Sequence, residues 1–295
     1  MKETKLEVLV FTDPYCSWCW ATEPMLLTMQ ERYRDQLHFR YVFGGLVKDI
    51  AEFHDVSNNI HSWADCIPHW RMVSERSGQP IDERMCADLD RYPHQSTWPA
   101  NIAAKAAFMQ SEEIGERFLR RMRIAVETER KIISFPEYYE PLAKEIDGLD
   151  FERFQKDIAD GTAKAAFEED QATCAAWDAY GFPTMLFYLA GADLNRLTRD
   201  VAAYVSGHRS METYDRVIQS LVPDIVVYQS RPETELLAVY GPMTDRELAQ
   251  VHNRSKDDEI RVLSRLEEEG SIFRSPRVRG SLWSLTRIEG DYSGE

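Results

Sequence analysis

Two cysteines separated by two residues, Cys16-Ser17-Trp18-Cys19, fall where a short apolar run gives way to a helical pattern. That junction constrains this chain more than any other feature. Leu6-Glu7-Val8-Leu9-Val10-Phe11 is nearly all apolar and rich in β-branched residues, as a buried strand requires. Asp13-Pro14 ends it, and Trp20–Arg34 then reads as a helix with Leu26, Met29 and Tyr33 on one face. Leu37–Phe43 favours a second strand, stopped by Gly44-Gly45. Strand, helix and strand in this order form a βαβ unit, so the two strands are expected to be parallel.

A cysteine at the start of a helix meets free N–H groups and the positive end of the helix dipole, which favour its thiolate. Cys16 is therefore expected to be the exposed, attacking thiolate, and Cys19, one turn further in, the resolving thiol. Two other readings compete. A zinc site needs a second ligand pair, and His61, Cys66, His69 and Cys86 lack a suitable spacing. Two structural cysteines placed there by chance are the other alternative. The strand-to-helix setting favours redox chemistry. No metal and no cofactor is expected.

Beyond Gly45 the middle of the chain reads as helical over Ala100–Met109, Glu112–Thr128, Glu137–Ile146, Phe151–Ile158 and Thr162–Tyr180, with Ser111 and Asp150 as N-caps. Thr184–Leu189 is a strand, Val201–Val205 a possible partner for it, and Met211–Leu221 a helix. The texture changes after Pro223. Thr244-Asp245-Arg246-Glu247 is a capping-box pattern, Ser255–Glu269 a capped helix, and Ser271–Leu285 a hairpin with Arg274, Arg277 and Arg279 near its tip. The expectation is an α/β fold with a mixed central sheet formed by residues 1–50 and 162–222. A helical insertion spans 51–161, and a linker with a small helix-helix-hairpin, winged-helix-like module spans 223–295.

A formal charge of −15 disfavours a general binder of nucleic acid or anionic membrane. No apolar run approaches the roughly 20 residues of a spanning helix, and the N-terminus lacks a signal-peptide pattern, so a cytoplasmic protein is expected. Five cysteines do not suggest a fully paired scaffold, and in a reducing compartment any disulfide would be transient.

The run Asp13-Pro14-Tyr15-Cys16-Ser17-Trp18-Cys19-Trp20, the helical middle and Gly181-Phe182-Pro183-Thr184 together resemble the DsbA family, and within it the cytosolic FrnE-type dithiol–disulfide isomerases. That resemblance implies a thioredoxin fold, catalytic Cys16 and Cys19, a cis-proline at Pro183, and exchange with protein thiols and disulfides. Substrate would meet Ser17, Trp18, Phe182, Pro183 and Thr184. DsbA carries Pro-His between its cysteines, whereas Ser17-Trp18 adds no cation. Cys19-Trp20-Ala21-Thr22-Glu23-Pro24 and the C-terminal module ending near Trp283 are also similar to YjbH-type adaptors, which present the redox-responsive regulator Spx to the Clp protease. On that resemblance the body is a docking surface and the thiols are regulatory.

Three further readings follow from the residues. Glu23, four residues after Cys19, could accept its proton, although a solvated helix carboxylate is the simpler reading. Asp13 could cap the helix. Cys66, Cys86 and Cys174 read as buried small hydrophobes, and most tryptophans as core, Trp18 excepted.

Overall fold

The structure, a computed structural model, describes residues 4–56, 58–194, 202–288, 290 and 292. Its central sheet is built from β1 (Leu6–Thr12), β2 (Leu37–Phe43), β3 (Thr184–Leu189) and β4 (Ala203–Ser206), in the order β2-β1-β3-β4. β1 runs parallel to β2, with Leu6 opposite Leu37, because α1 (Ser17–Tyr33) carries the chain back across the sheet. β3 is antiparallel to β1, with Phe11 opposite Thr184, and β4 is antiparallel to β3. Val201 of the expected partner strand lies outside the described residues.

Alternation along β1 decides which layer each side chain joins. Leu6, Val8 and Val10 pack with Met25, Leu26, Met29 and Tyr33 of α1 and with Met211, Tyr214 and Ile218 much further along the chain. Leu9 and Phe11 point the other way, toward Cys174, Trp177 and Leu186. The sheet is thus buried on both sides, as its near-continuous apolar strands require.

Among the described residues seven α-helices lie between β2 and β3: α2 (Cys66–Ser77), α3 (Arg84–Leu89), α4 (Trp98–Phe108), α5 (Glu112–Glu129), α6 (Pro136–Lys144), α7 (Phe151–Ala159) and α8 (Thr162–Ala176). They enclose the largest apolar cluster, where the small residues Ala100, Ala103, Ala104 and Ala107 let α4 lie close to Phe118 and Met122 of α5. α2 and α3 were not foreseen, and the stretch holding His61 and His69 read as a loop. His69 in fact sits in α2, whose periodicity is masked by Pro68 in its first turn and whose end is set by Gly78 at φ 76. α8 stops at Ala176 rather than at Tyr180, because Asp178 turns to positive φ. α9 (Met211–Leu221) then completes the sheet's outer layer, tied to α1 by Tyr33 Oη and Arg32 Nη1 on the Asp215 carboxylate (2.7 and 2.6 Å).

The C-terminal module consists of α10 (Glu233–Tyr240), β5 (Met243–Thr244), α11 (Asp245–Val251), α12 (Lys256–Glu268), β6 (Phe273–Arg277) and β7 (Gly280–Ser284), with sheet order β5-β7-β6. The expected helix, helix and hairpin are present, and α10 is an addition that Pro232 and Gly241 bracket tightly. The Thr244/Glu247 capping box opens α11. Leu27 of α1 enters the module's core beside Leu237, Leu248 and Trp283. Part of the basic tip of the hairpin turns inward. Arg277 is buried against Thr128 and Glu129, and Arg279, exposed along its stem, donates to the Ile81 carbonyl and to Glu83, while Arg274 stays exposed. Among the described residues no helix is long and apolar enough to cross a membrane.

Candidate functional site

The loop between β1 and α1 is held from beneath by Asp13. Its carboxylate accepts from the amides of Tyr15 (2.8 Å) and Leu46 (2.7 Å), from Thr97 Oγ1 (2.8 Å) and from Asn101 Nδ2 (2.8 Å). Burial raises the Asp13 carboxyl above its ordinary value against these donors. Asp13 therefore anchors the loop, and the helix cap is Cys16 itself, whose sulfur accepts from the Cys19 amide at 3.1 Å. A sulfur in this position is where the amides at the mouth of α1 can act on it.

The two cysteines are neighbours, and both are largely sealed: Cys16 is 5% exposed and Cys19 is 1% exposed. Burial pushes the Cys16 thiol well up, and the adjoining Cys19 sulfur adds to this. Burial opposes charge on Cys19 too, but the hydrogen bond from Cys16, the Arg123 guanidinium and the Thr12 hydroxyl together hold its thiol below the ordinary value. Of the two sulfurs, Cys19 is the one whose surroundings favour a thiolate more. This corrects the expected exposed thiolate at Cys16. The reason is burial of Cys16, while the bond from Cys16 and Arg123, a cation delivered from α5 that spacing along the first forty residues could not reveal, act on Cys19.

The Cys16 thiol also donates to the Phe182 carbonyl at 3.5 Å. The Phe182–Pro183 peptide is cis. The Phe182 ring rests on Gly44, where a Cβ would fall inside the ring, so glycine is required there by close approach. Thr184 Oγ1 donates to the Gly181 carbonyl at 2.7 Å and fixes the loop's exit into β3. Of the five residues expected to meet substrate, Trp18 and Phe182 are half-buried at the surface, while Ser17, Pro183 and Thr184 lie beneath them. Trp18 packs edge-on against His69 and near His208, with ring centroids 6.3 and 5.7 Å away. Burial lowers the titration of both histidines, which favours neutral rings around Trp18.

Glu23 is neither solvated nor free. It is buried between Arg123 Nη1 and Arg120 Nη1, the latter at 3.5 Å, and Arg120 also holds Glu247 of α11 at 2.8 Å. Its carboxylate is committed to guanidinium groups, which leaves it poorly placed as the acceptor of a Cys19 proton. Sequence reasoning missed Arg120, Arg123 and Glu127. The available signal was their recurrence on α5 among buried positions such as Leu119, Met122 and Val126, where charged residues need a partner. Cys66, Cys86 and Cys174 are all buried. Glu233, His252 and Glu259 are close enough together to hold a metal ion, but Arg254 already bridges the two carboxylates at 2.7 and 2.8 Å.

A mixed sheet, a dithiol capping the first helix and a cis-proline loop against it define a thioredoxin-type dithiol protein. Residues 9–216 match the family model described as Thioredoxin, and the chain belongs to that family. The ClpXP adapter protein SpxH of Bacillus subtilis (strain 168) is 25% identical over 97% of this chain and 92% of its own length. The SpxH of Halalkalibacterium halodurans is 25% identical over 96% and 89%. Among solved structures, a candidate protein disulfide isomerase from Nitrosomonas europaea superposes with a TM-score of 0.60 at 20% identity, covering 75% of this chain and 98% of that one. The cytosolic disulfide reductase DsbM from Pseudomonas aeruginosa gives 0.51 at 20%, covering 72% and 92%. Both structural likenesses concern the fold.

Proposed function

We propose that this chain is an adaptor for a Clp-type protease, presenting a redox-responsive, Spx-like regulator on the face around Trp18 and Phe182, with Cys16 and Cys19 as a regulatory dithiol. The observation that carries this reading is the extent of the likeness. The SpxH proteins correspond to nearly the whole chain, while the disulfide-enzyme structures are used up within about three quarters of it. The C-terminal module, which lies beyond the part matched by the thioredoxin family, is built into the body through Leu27, Arg120 and Arg277. On this reading the protein works in the cytoplasm, residues 1–50 and 162–222 form the thioredoxin-fold unit, 51–161 the insertion, and 223–295 the linker and module.

A second reading, exchange of disulfides with protein substrates through Cys16 and Cys19, is favoured by one observation: the Cys16 sulfur caps α1, 3.1 Å from the Cys19 amide, where the helix amides can act on a thiolate. Reconstituted degradation separates the two. The purified regulator, the Clp protease and equimolar full-length chain are combined under reducing conditions, beside the Cys16→Ser/Cys19→Ser double variant. Accelerated degradation by both proteins, with a one-to-one complex, is expected. No complex with either protein would reject the adaptor reading. Thiol-dependent reduction of many substrate disulfides per chain would establish the enzyme instead.

A further inference from the structure

Glu127 is fully buried on α5, one turn after Arg123, and neither of its carboxylate oxygens has a hydrogen-bond partner. A charged, unpartnered carboxylate in such a place would cost several kcal/mol. Arg123 is engaged elsewhere: Nη1 on Glu23 and Nη2 on Thr12 Oγ1, the hydroxyl that also contacts the Cys19 sulfur. Its Nε is left without a partner. Three groups from three elements bear electrostatically on Glu127: Arg123 on α5, Cys19 on α1 and Cys86 on α3. Burial, against the Arg123 guanidinium and with Cys19 adding to it, drives the Glu127 carboxyl well above its ordinary value.

We propose that Glu127 is the buried proton store of the Cys16–Cys19 pair, keeping its proton while the pair carries a thiolate and releasing it when the pair becomes a disulfide. This rests on the reading of Cys16 and Cys19 as a redox-responsive dithiol, and assigns the residue that registers their state. In the dithiol form the site holds Cys16–SH, Cys19–S⁻ and Glu127–COOH. Oxidation by a small-molecule disulfide forms the Cys16–Cys19 bond, breaks the oxidant's S–S bond and sends two electrons to it. Two protons leave as well, one from Cys16 and one from Glu127, and the oxidant becomes two thiols. The negative charge moves from the Cys19 sulfur to the Glu127 carboxylate, and the free Nε–H of Arg123, whose Nη1 stays on Glu23, becomes its donor.

The test is infrared difference spectroscopy of the full-length chain, reduced and oxidised with dithiothreitol and its cyclic disulfide, with mass spectrometry confirming the Cys16–Cys19 bond. The carbonyl stretch of a protonated carboxyl is expected in the reduced protein, lost on oxidation, and absent from both states of Glu127→Gln. The exchange equilibrium gives a second readout. With two protons lost by the protein and two taken up by the oxidant, the constant for oxidation is independent of pH in the wild type, whereas in Glu127→Gln it falls about tenfold per pH unit, because the protein supplies only one of the two. A disulfide that forms without loss of the band overturns this role alone. If no Cys16–Cys19 disulfide forms at all, the redox reading fails and this role fails with it.

Discussion

Arg123 is the residue on which the site turns, and it was invisible to sequence reasoning for a physical reason. The CxxC pair, Pro183 and the strand-to-helix junction are local, so spacing alone makes them legible. Arg123 acts from α5, brought in only when the insertion closes over the mouth of α1. The same holds for Glu23, whose helical spacing from Cys19 was readable but whose partners were not. Replacing Arg123 with Met leaves Glu23 leaning on Arg120 alone and withdraws the cation from Cys19. The Cys19 thiol should then titrate higher, read as thiolate absorbance against pH, and urea unfolding should show a loss of about 3 kcal/mol, the usual result of breaking a buried pair. A second residue-scale expectation concerns Gly44. Gly44→Ala pushes a methyl into the Phe182 ring and should cost about 1–3 kcal/mol while displacing the loop over Cys16. Faster alkylation of Cys16 by iodoacetamide, measured by mass spectrometry, would report that displacement.

Among the elements, those with a strong period or a chemical stop were read correctly from sequence. β2, β3 and α9 have the expected bounds because Gly44-Gly45, Pro183 and Pro223 mark their ends. α2, α3 and α10 escaped notice because each is short or carries proline at its entry, and what holds them in place is contact with the rest of the chain rather than propensity. The link between α10 and α12 has a pH signature. His252 donates toward Glu259 (3.1 Å) and lies 3.6 Å from Glu233, with Arg254 on the same two carboxylates. Burial lowers its titration, but the bond to Glu259, the Arg231 carbonyl and the two carboxylates outweigh this, and the folded-state value is raised. A raised value stabilises the protonated fold: the contribution is complete below the unfolded value of about 6.5 and disappears as pH rises through the folded one. Thermal melts of wild type and His252→Gln should therefore differ most below that point and converge above the raised value. A difference that grew with pH would contradict the linkage.

At the scale of the whole molecule, the sequence suggested a body with an appendage, while the structure joins them through buried charge. Arg120 of the insertion reaches Glu23 on α1 and Glu247 on α11, Arg231 and Tyr240 reach Glu31 on α1, and Arg277 reaches Glu129 on α5. Composition could not disclose this, because each of these residues looks like an ordinary surface charge until all three parts are assembled. Once they are, separation of the module strips the cover from Glu31, Arg120 and Glu129, and it also bares the Leu27 side chain. An independent appendage would give two unfolding transitions, the module's leaving tryptophan signals from the body unchanged. The buried ion pairs instead demand one cooperative transition for the full chain, in both urea and heat. Arg120→Leu should lower the midpoint of that single transition by an amount corresponding to about 3 kcal/mol or more, because Glu247 is left buried without its cation. It should do so equally whether unfolding is followed at Trp283 in the module or at Trp20 in the body, with the other tryptophans replaced by Phe. Divergence of those two curves would mean that the module and the body are stabilised separately, and that the contact surface between them can open without unfolding either.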